Sequence, residues 1–351
     1  MADRLQTVFG ECTTHQNTRH EMKGLVDRKP RTDLAKPRDI SGIAKPRVTA
    51  KEETEAMDWE QTEPDIDDND DPDVCGEYCK EIFKNESAIR EHKWVMAARL
   101  QDIATLRVGC VDWLTEVCFT WKLATDTFFT AVLYLDKALR TLEYSLDDIQ
   151  PLTGTCLFLA AKMEEVQAIP IDDIVEIAPG TSVAAIKSYE KKILVALNYE
   201  MVTPHLMLFV RRYNSISGTN METHNISKYL STLVVRYQGH CSGPQSMLAA
   251  AICFLARRIM GYSEAEAWSS KQTTYSGYLL EEIKMAVYFV SHALFNANRR
   301  AAEHSRNSDK VTTAYRVFNQ RKFQYICTKP CLRQKFVETY GLLNVISLEK
   351  C

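Results

Sequence analysis

Leu106-Arg107-Val108-Gly109-Cys110-Val111-Asp112-Trp113-Leu114-Thr115-Glu116-Val117-Cys118-Phe119 is apolar on nearly every side at helical spacing, yet it encloses Arg107 and Asp112. A helix that is apolar all round belongs in a core. Charges on such a helix must be paired, because an isolated ion out of water costs several kcal/mol or neutralises itself. Arg107 and Asp112 are therefore expected to satisfy each other or nearby backbone, as a structural ion pair that holds this helix to its neighbours. A second core helix follows in Leu157-Phe158-Leu159-Ala160-Ala161-Lys162-Met163-Glu164-Glu165. Its alanines permit close helix approach, and it ends abruptly in charge.

The surrounding chain is large enough for two such cores. It has 351 residues, 45% of them hydrophobic, which suits two globular domains with irregular flanks. A formal net charge of −3 gives no general reason to expect nucleic-acid binding. The opening Met1-Ala2-Asp3-Arg4-Leu5 lacks an apolar signal core, and no run approaches the length of a membrane span. The expectation is a soluble intracellular protein. Eleven cysteines are scattered along the chain, and only Cys75 with Cys79 and Cys327 with Cys331 stand close. No His or second Cys pair follows at finger spacing, so free thiols in a reducing compartment are expected rather than a metal site.

Residues 1–51 carry Pro30, Pro37, Pro46 and eleven Lys or Arg with little apolar periodicity. Residues 52–73 then carry twelve Asp or Glu and no Lys or Arg. This is the pattern of a disordered tail, basic and then acidic, over 1–72. Within it Ala35-Lys36-Pro37-Arg38 is repeated as Ala44-Lys45-Pro46-Arg47, which reads either as an import or modification sequence or as simple low complexity.

From Asp73 the periodicity is helical throughout. Asp73 can cap a first helix whose face holds Val74, Tyr78, Ile82 and Phe83. Further helices are expected at 101–121, 124–141, 147–164, 170–178 and 182–197, with Pro179-Gly180 breaking the chain before the last. Pro204 marks a boundary, and helices resume at 205–217, 221–238, 244–261, 264–270 and 278–298. The third helices of the two runs echo one another, Leu157-Phe158-Leu159-Ala160-Ala161-Lys162 against Ala251-Ile252-Cys253-Phe254-Leu255-Ala256-Arg257-Arg258. Ninety-odd residues separate them, the size of a small domain, so the fold is expected to be all-α with two similar five-helix modules.

Four segments together resemble the cyclin family: Asp71-Pro72-Asp73-Val74-Cys75-Gly76-Glu77-Tyr78-Cys79-Lys80-Glu81-Ile82-Phe83, Leu106 through Val117, Ala131-Val132-Leu133-Tyr134-Leu135-Asp136-Lys137, and Leu159 through Glu165. The Glu-Tyr-Cys-Lys-Glu-Ile-Phe lead-in is similar to the mitotic, B-type branch. The resemblance implies two tandem five-helix cyclin boxes behind an N-terminal helix and a disordered tail. The first box with its N-terminal helix would cover 73–204, the second 205–300, and a C-terminal extension 301–351, its last part expected to strap the second box. It further implies a regulator without a cofactor, which binds a cyclin-dependent protein kinase and activates it at G2/M. The kinase's C-helix Glu and β3 Lys would be brought together by that contact.

Carried over position by position, the kinase contact falls on Lys162 and Glu190, with Leu159, Met163, Tyr199 and Met201 lining an apolar groove between their helices. A lysine donates to carbonyls and a carboxylate accepts from amides, so the two can grip a backbone turn from both sides. The family's docking patch for substrate or inhibitor peptides falls on Leu106, Gly109, Cys110, Trp113, Glu116 and Gln150. Trp113 would be its apolar floor, and Glu116 with Gln150 would meet the peptide's cation and backbone. Gly109 and Cys110 stand where the family carries larger aliphatics, which shrinks the contact. In the tail, Gln6-Thr7-Val8-Phe9-Gly10 resembles a destruction element, and Arg31-Thr32-Asp33-Leu34 holds a second Arg and Leu pair. Both would recruit a ubiquitin ligase as flexible peptides. Localisation to nucleus and cytoplasm, without nucleic-acid or membrane partners, is the matching expectation. A non-activating scaffold and a cyclin-fold transcription factor are the alternatives. No glycine-rich phosphate loop, His-Glu-x-x-His pair or nucleophile elbow points to an enzyme.

Overall fold

The computed structural model describes residues 78–79, 81–83, 85, 104–237, 244–303, 312–329 and 332. The chain divides into two compact units, of which one is His15–Lys80 and the other holds everything from Glu81 onward. In the first, only Tyr78 and Cys79 are described; both are helical, with Tyr78 exposed and Cys79 buried. Ile82 is also exposed, so Tyr78 and Ile82 do not form the inward face that the spacing suggested. Phe83 is half-buried beneath the Arg212 guanidinium, 4.3 Å from the ring centre.

The second unit contains α1 (Ala104–Thr120), α2 (Thr125–Thr141), α3 (Ile149–Glu164), α4 (Ile171–Ile177) and α5 (Val183–Ala196). After Pro204 come α6 (Leu206–Ile216), α7 (Met221–Tyr237), α8 (Gln245–Ile259), α9 (Glu264–Ala267), α10 (Ser270–Ser276) and α11 (Leu280–Glu303). A short α12 (Thr313–Phe318) and two 3-10 turns, Arg321–Phe323 and Ile326–Thr328, follow. Strands are absent among the described residues. The expected helix at 264–270 is two helices, because Ser263 and Ser269 each open a capping box and Trp268 between them leaves helical geometry.

In both runs the third helix is the hub. Helix α3 packs on α1, α2, α4 and α5, while α8 packs on α6, α7, α9 and α11. Small residues make that possible: Ala160 and Ala161 in α3 and Ala249, Ala250, Ala251 and Ala256 in α8 are wholly buried. At Gly154 a Cβ would lie 3.1 Å from Ile174 Cγ2, so a side chain there would press on α4 and Ile174 would have to give by a few tenths of an ångström.

The expected Arg107 to Asp112 ion pair does not form. Residues five apart point about 140° away from each other on an α-helix, so the two side chains leave α1 on different sides. Arg107 instead meets Asp136 of α2 through two hydrogen bonds, 2.5 and 2.8 Å. Its remaining nitrogen donates to the carbonyls of Val235 and Arg236, at 2.9 and 3.1 Å, in the last turn of α7. Those carbonyls lack helical partners and mark the negative pole of the helix. Arg236 returns the contact, with two 2.7 Å bonds to Asp112. The charges on α1 thus join the two helical runs.

A second clamp joins α2 to α6. Asp126 accepts from both Arg211 nitrogens, at 2.7 and 2.5 Å, and lies 3.0 Å from His205 Nε2. Burial alone would raise this carboxyl, but the hydrogen bonds from His205 and Arg211 outweigh it and hold the carboxyl well below the usual carboxylate range. A group depressed in the folded state contributes its stability above the unfolded value near 3.9 and loses it as pH falls through the folded one. Asp126→Asn is accordingly expected to destabilise the chain by about 1–3 kcal/mol at pH 7. In urea titrations, the gap between variant and wild type should close progressively below about pH 4.

The C-terminal segment straps more than the second run. Helix α12 packs on both α1 and α7, with Phe318 and Phe323 each 5.6 Å from the Phe119 ring and Phe318 5.4 Å from Tyr229. Arg316 reaches Glu116 at 3.2 Å, Lys329 pairs with Glu222, and Asn298 donates to the Leu332 carbonyl at 2.6 Å.

Candidate functional site

Helix α3 ends at Glu164 for a reason that lies in α2. Glu165 Oε1 accepts from the Ala124 amide at 2.7 Å and the Thr127 hydroxyl at 2.5 Å, so it caps the first turn of α2. Glu164 accepts from Thr130 at 2.8 Å, one turn further on. The charged ending thereby fixes the end of α3 and presents Lys162 and Met163 from it.

Lys162 Nζ lies 2.6 Å from Glu190 Oε1 and 4.0 Å from the Phe158 ring centre. The pair joins α3 to α5 at the surface, with the side chains 40% and 22% exposed. Ser182 opens α5 by accepting from the Ala185 amide. The helix closes in a Schellman ending, in which the amides of Asn198 and Tyr199 donate to the carbonyls of Val195 and Leu194. Asn198 takes the left-handed conformation such an ending requires, at φ 57°. Tyr199 is left-handed as well, at φ 60°, which costs a residue with a side chain on the order of 1–2 kcal/mol.

At the ends of the two helices that the Lys162–Glu190 pair joins, large apolar side chains stand in solvent. Met163 and Val166 at the end of α3 are exposed, as are Val195, Tyr199 and Val202 on and beyond the end of α5. Singly such residues are ordinary, whereas large exposed apolar groups are the kind of feature that marks interaction sites. Of the groove positions expected from sequence, Met163 and Tyr199 are at the surface, Met201 is half-buried and Leu159 is buried beneath them. Val166, Val195 and Val202 were not expected. Their signal was available as apolar residues beside charged ones, Val166 after Glu165, Val195 near Lys192 and Val202 near Glu200, where an inward face does not run.

The α1 positions are different. Trp113 is fully buried, with Leu106 and Cys110 also in the core, so Trp113 is not the open floor that sequence suggested. Glu116 already holds a cation, Arg316 of α12. Gln150 is half-buried beside Gly180, where a Cβ would lie 3.8 Å from its Oε1. Burial pushes the Cys110 thiol up to about 11, and Cys118, Cys156 and Cys253 are raised by burial too, which makes them structural thiols. Among the described residues no cluster of His, Cys, Asp or Glu could hold a metal ion, and no helix is long and apolar enough to cross a membrane. The tail positions Gln6, Phe9, Gly10, Arg31 and Leu34, together with Cys75, lie outside the described residues.

Comparison with known proteins finds two domains in tandem. The model of the cyclin N-terminal domain matches residues 77–202, and that of the cyclin C-terminal domain matches residues 204–332. The chain is 27% identical over 247 residues to the G2/mitotic-specific cyclin-B of Arbacia punctulata, covering 69% of this chain and 60% of that protein. It is 27% identical over 351 residues to the putative cyclin-A3-1 of Arabidopsis thaliana, covering 94% and 96%. Among solved structures, a viral cyclin from herpesvirus saimiri superposes with a TM-score of 0.51 at 12% identity, over 60% of this chain and 96% of that one, and so shares the fold. With both domain models matched in tandem, the chain belongs to the cyclin family, as a divergent member.

Proposed function

We propose that this cyclin binds and activates a cyclin-dependent protein kinase through the ends of α3 and α5. The observation that carries the reading is the exposed Lys162–Glu190 pair together with the exposed Met163, Val166, Val195, Tyr199 and Val202. Such a surface offers apolar area to bury and two charges of opposite sign to satisfy a partner's amides and carbonyls. The cyclin supplies no reacting group; its contribution is to order the kinase's own C-helix and activation loop. Adding the full chain to an inactive cyclin-dependent kinase should raise phosphorylation of a basic peptide. Failure to bind any such kinase would overturn the reading, and binding without activation would favour a scaffold.

The finer assignment is to G2/M, supported by the name of the Arbacia punctulata relative and by the Glu-Tyr-Cys-Lys-Glu-Ile-Phe lead-in. The tail would bring the protein to a ubiquitin ligase through Gln6, Phe9 and Gly10 and through Arg31 and Leu34, with the protein shared between nucleus and cytoplasm. In a mitotic extract the full chain should be degraded several-fold faster than a Phe9→Ala, Leu34→Ala variant. Equal half-lives would remove the tail elements from the account.

A further inference from the structure

The turn after α5 adopts a backbone that its sequence does not favour. One left-handed residue completes a Schellman ending, and Asn198 serves well. A second in succession, on tyrosine, persists only where surrounding contacts hold it. The contact that does so comes from α2: the Tyr134 hydroxyl donates to the Met201 carbonyl at 2.7 Å. Tyr134 is buried to 1% exposure, so its ring is fixed by packing and its hydroxyl is aimed. Met201 is itself tied back, its amide donating to the Tyr199 carbonyl at 3.1 Å. The outcome is a Tyr199 side chain 68% exposed, with Val195 and Val202 of the same segment also exposed.

We propose that Tyr134 is a positioning residue for partner binding, a latch that holds the Asn198–Tyr199 turn open with Tyr199 presented. This deepens the kinase reading above and rests on it. The same helix fixes both walls of the docking surface. Thr130 holds Glu164 at the end of α3, and one turn later Tyr134 holds the chain beyond α5. Helix α2 therefore sets the spacing of the two walls before any partner arrives, which lowers the ordering cost of association. Burial raises the Tyr134 phenol above its ordinary range, so it remains a donor throughout the physiological range.

The test uses the full chain as Tyr134→Phe, Tyr199→Ala and the double variant, with amide exchange and kinase affinity as readouts. Tyr134→Phe removes one oxygen and keeps the packed ring. Exchange in 198–202 should quicken by about five- to tenfold while the cores of α3 and α8 stay unchanged. Kinase affinity should fall by a similar factor, about five- to tenfold, and the loss should vanish when Tyr199 is already alanine. Unchanged exchange in the turn would overturn the latch even if no kinase binds, and that second failure would fall on the kinase reading instead. A loss of affinity that adds fully to that of Tyr199→Ala would also overturn it, as the mark of a merely structural hydrogen bond.

Discussion

Asp136→Ala is expected to cost the fold about 3–5 kcal/mol, because it leaves the Arg107 guanidinium buried without its carboxylate. That is a large part of the 5–15 kcal/mol that typically holds a domain together. Arg107 would keep its two bonds to the Val235 and Arg236 carbonyls, but a carbonyl does not neutralise a cation. The loss should appear as a lower urea midpoint followed by helical circular dichroism. Replacing both partners, as Arg107→Met with Asp136→Leu, should recover much of it, since a buried pair exchanged for packed apolar residues is often neutral or better. A single variant within 1 kcal/mol of wild type, the scale of an exposed pair, would show that the pair does not hold α1 to α2.

The second large effect concerns function with the fold intact. Lys162 and Glu190 face one another at 2.6 Å, so Lys162→Glu with Glu190→Lys preserves their mutual attraction while reversing what a partner meets. Each kinase carbonyl would then face a carboxylate and each amide an ammonium. Breaking charged hydrogen bonds in the middle of an interface costs about 2–5 kcal/mol, equivalent to roughly 30-fold or more in affinity. Thermal unfolding of the swapped chain should match wild type, because the pair is partly exposed and contributes little to stability on its own.

The helices were legible in the sequence because burial writes a 3.6-residue period that needs no knowledge of the partner. Both hubs showed themselves by their alanines, and the Lys162, Met163 and Tyr199 positions followed from family resemblance. What periodicity cannot carry is pairing across distance. Arg107 finds Asp136 29 residues away, and Arg236 finds Asp112 124 residues away. The near neighbour Asp112 was the simpler choice for Arg107, yet helix geometry turns it away. Asp136 carried the same signal, a carboxylate directly after the apolar run Ala131-Val132-Leu133-Tyr134-Leu135. Trp113 misled for the opposite reason: a residue placed by resemblance at an open patch is here in the core, on the helix that α12 also covers. The latch from Tyr134 to Met201 depends on a left-handed backbone that no spacing predicts.

The measurement that tests the account most directly is activation of an inactive cyclin-dependent kinase by the full chain, run beside the Lys162→Glu, Glu190→Lys variant. Wild type should give strong peptide phosphorylation, and the variant should lose it while melting at the same temperature. Equal activation by the two proteins would contradict the account, and would move the kinase away from the ends of α3 and α5.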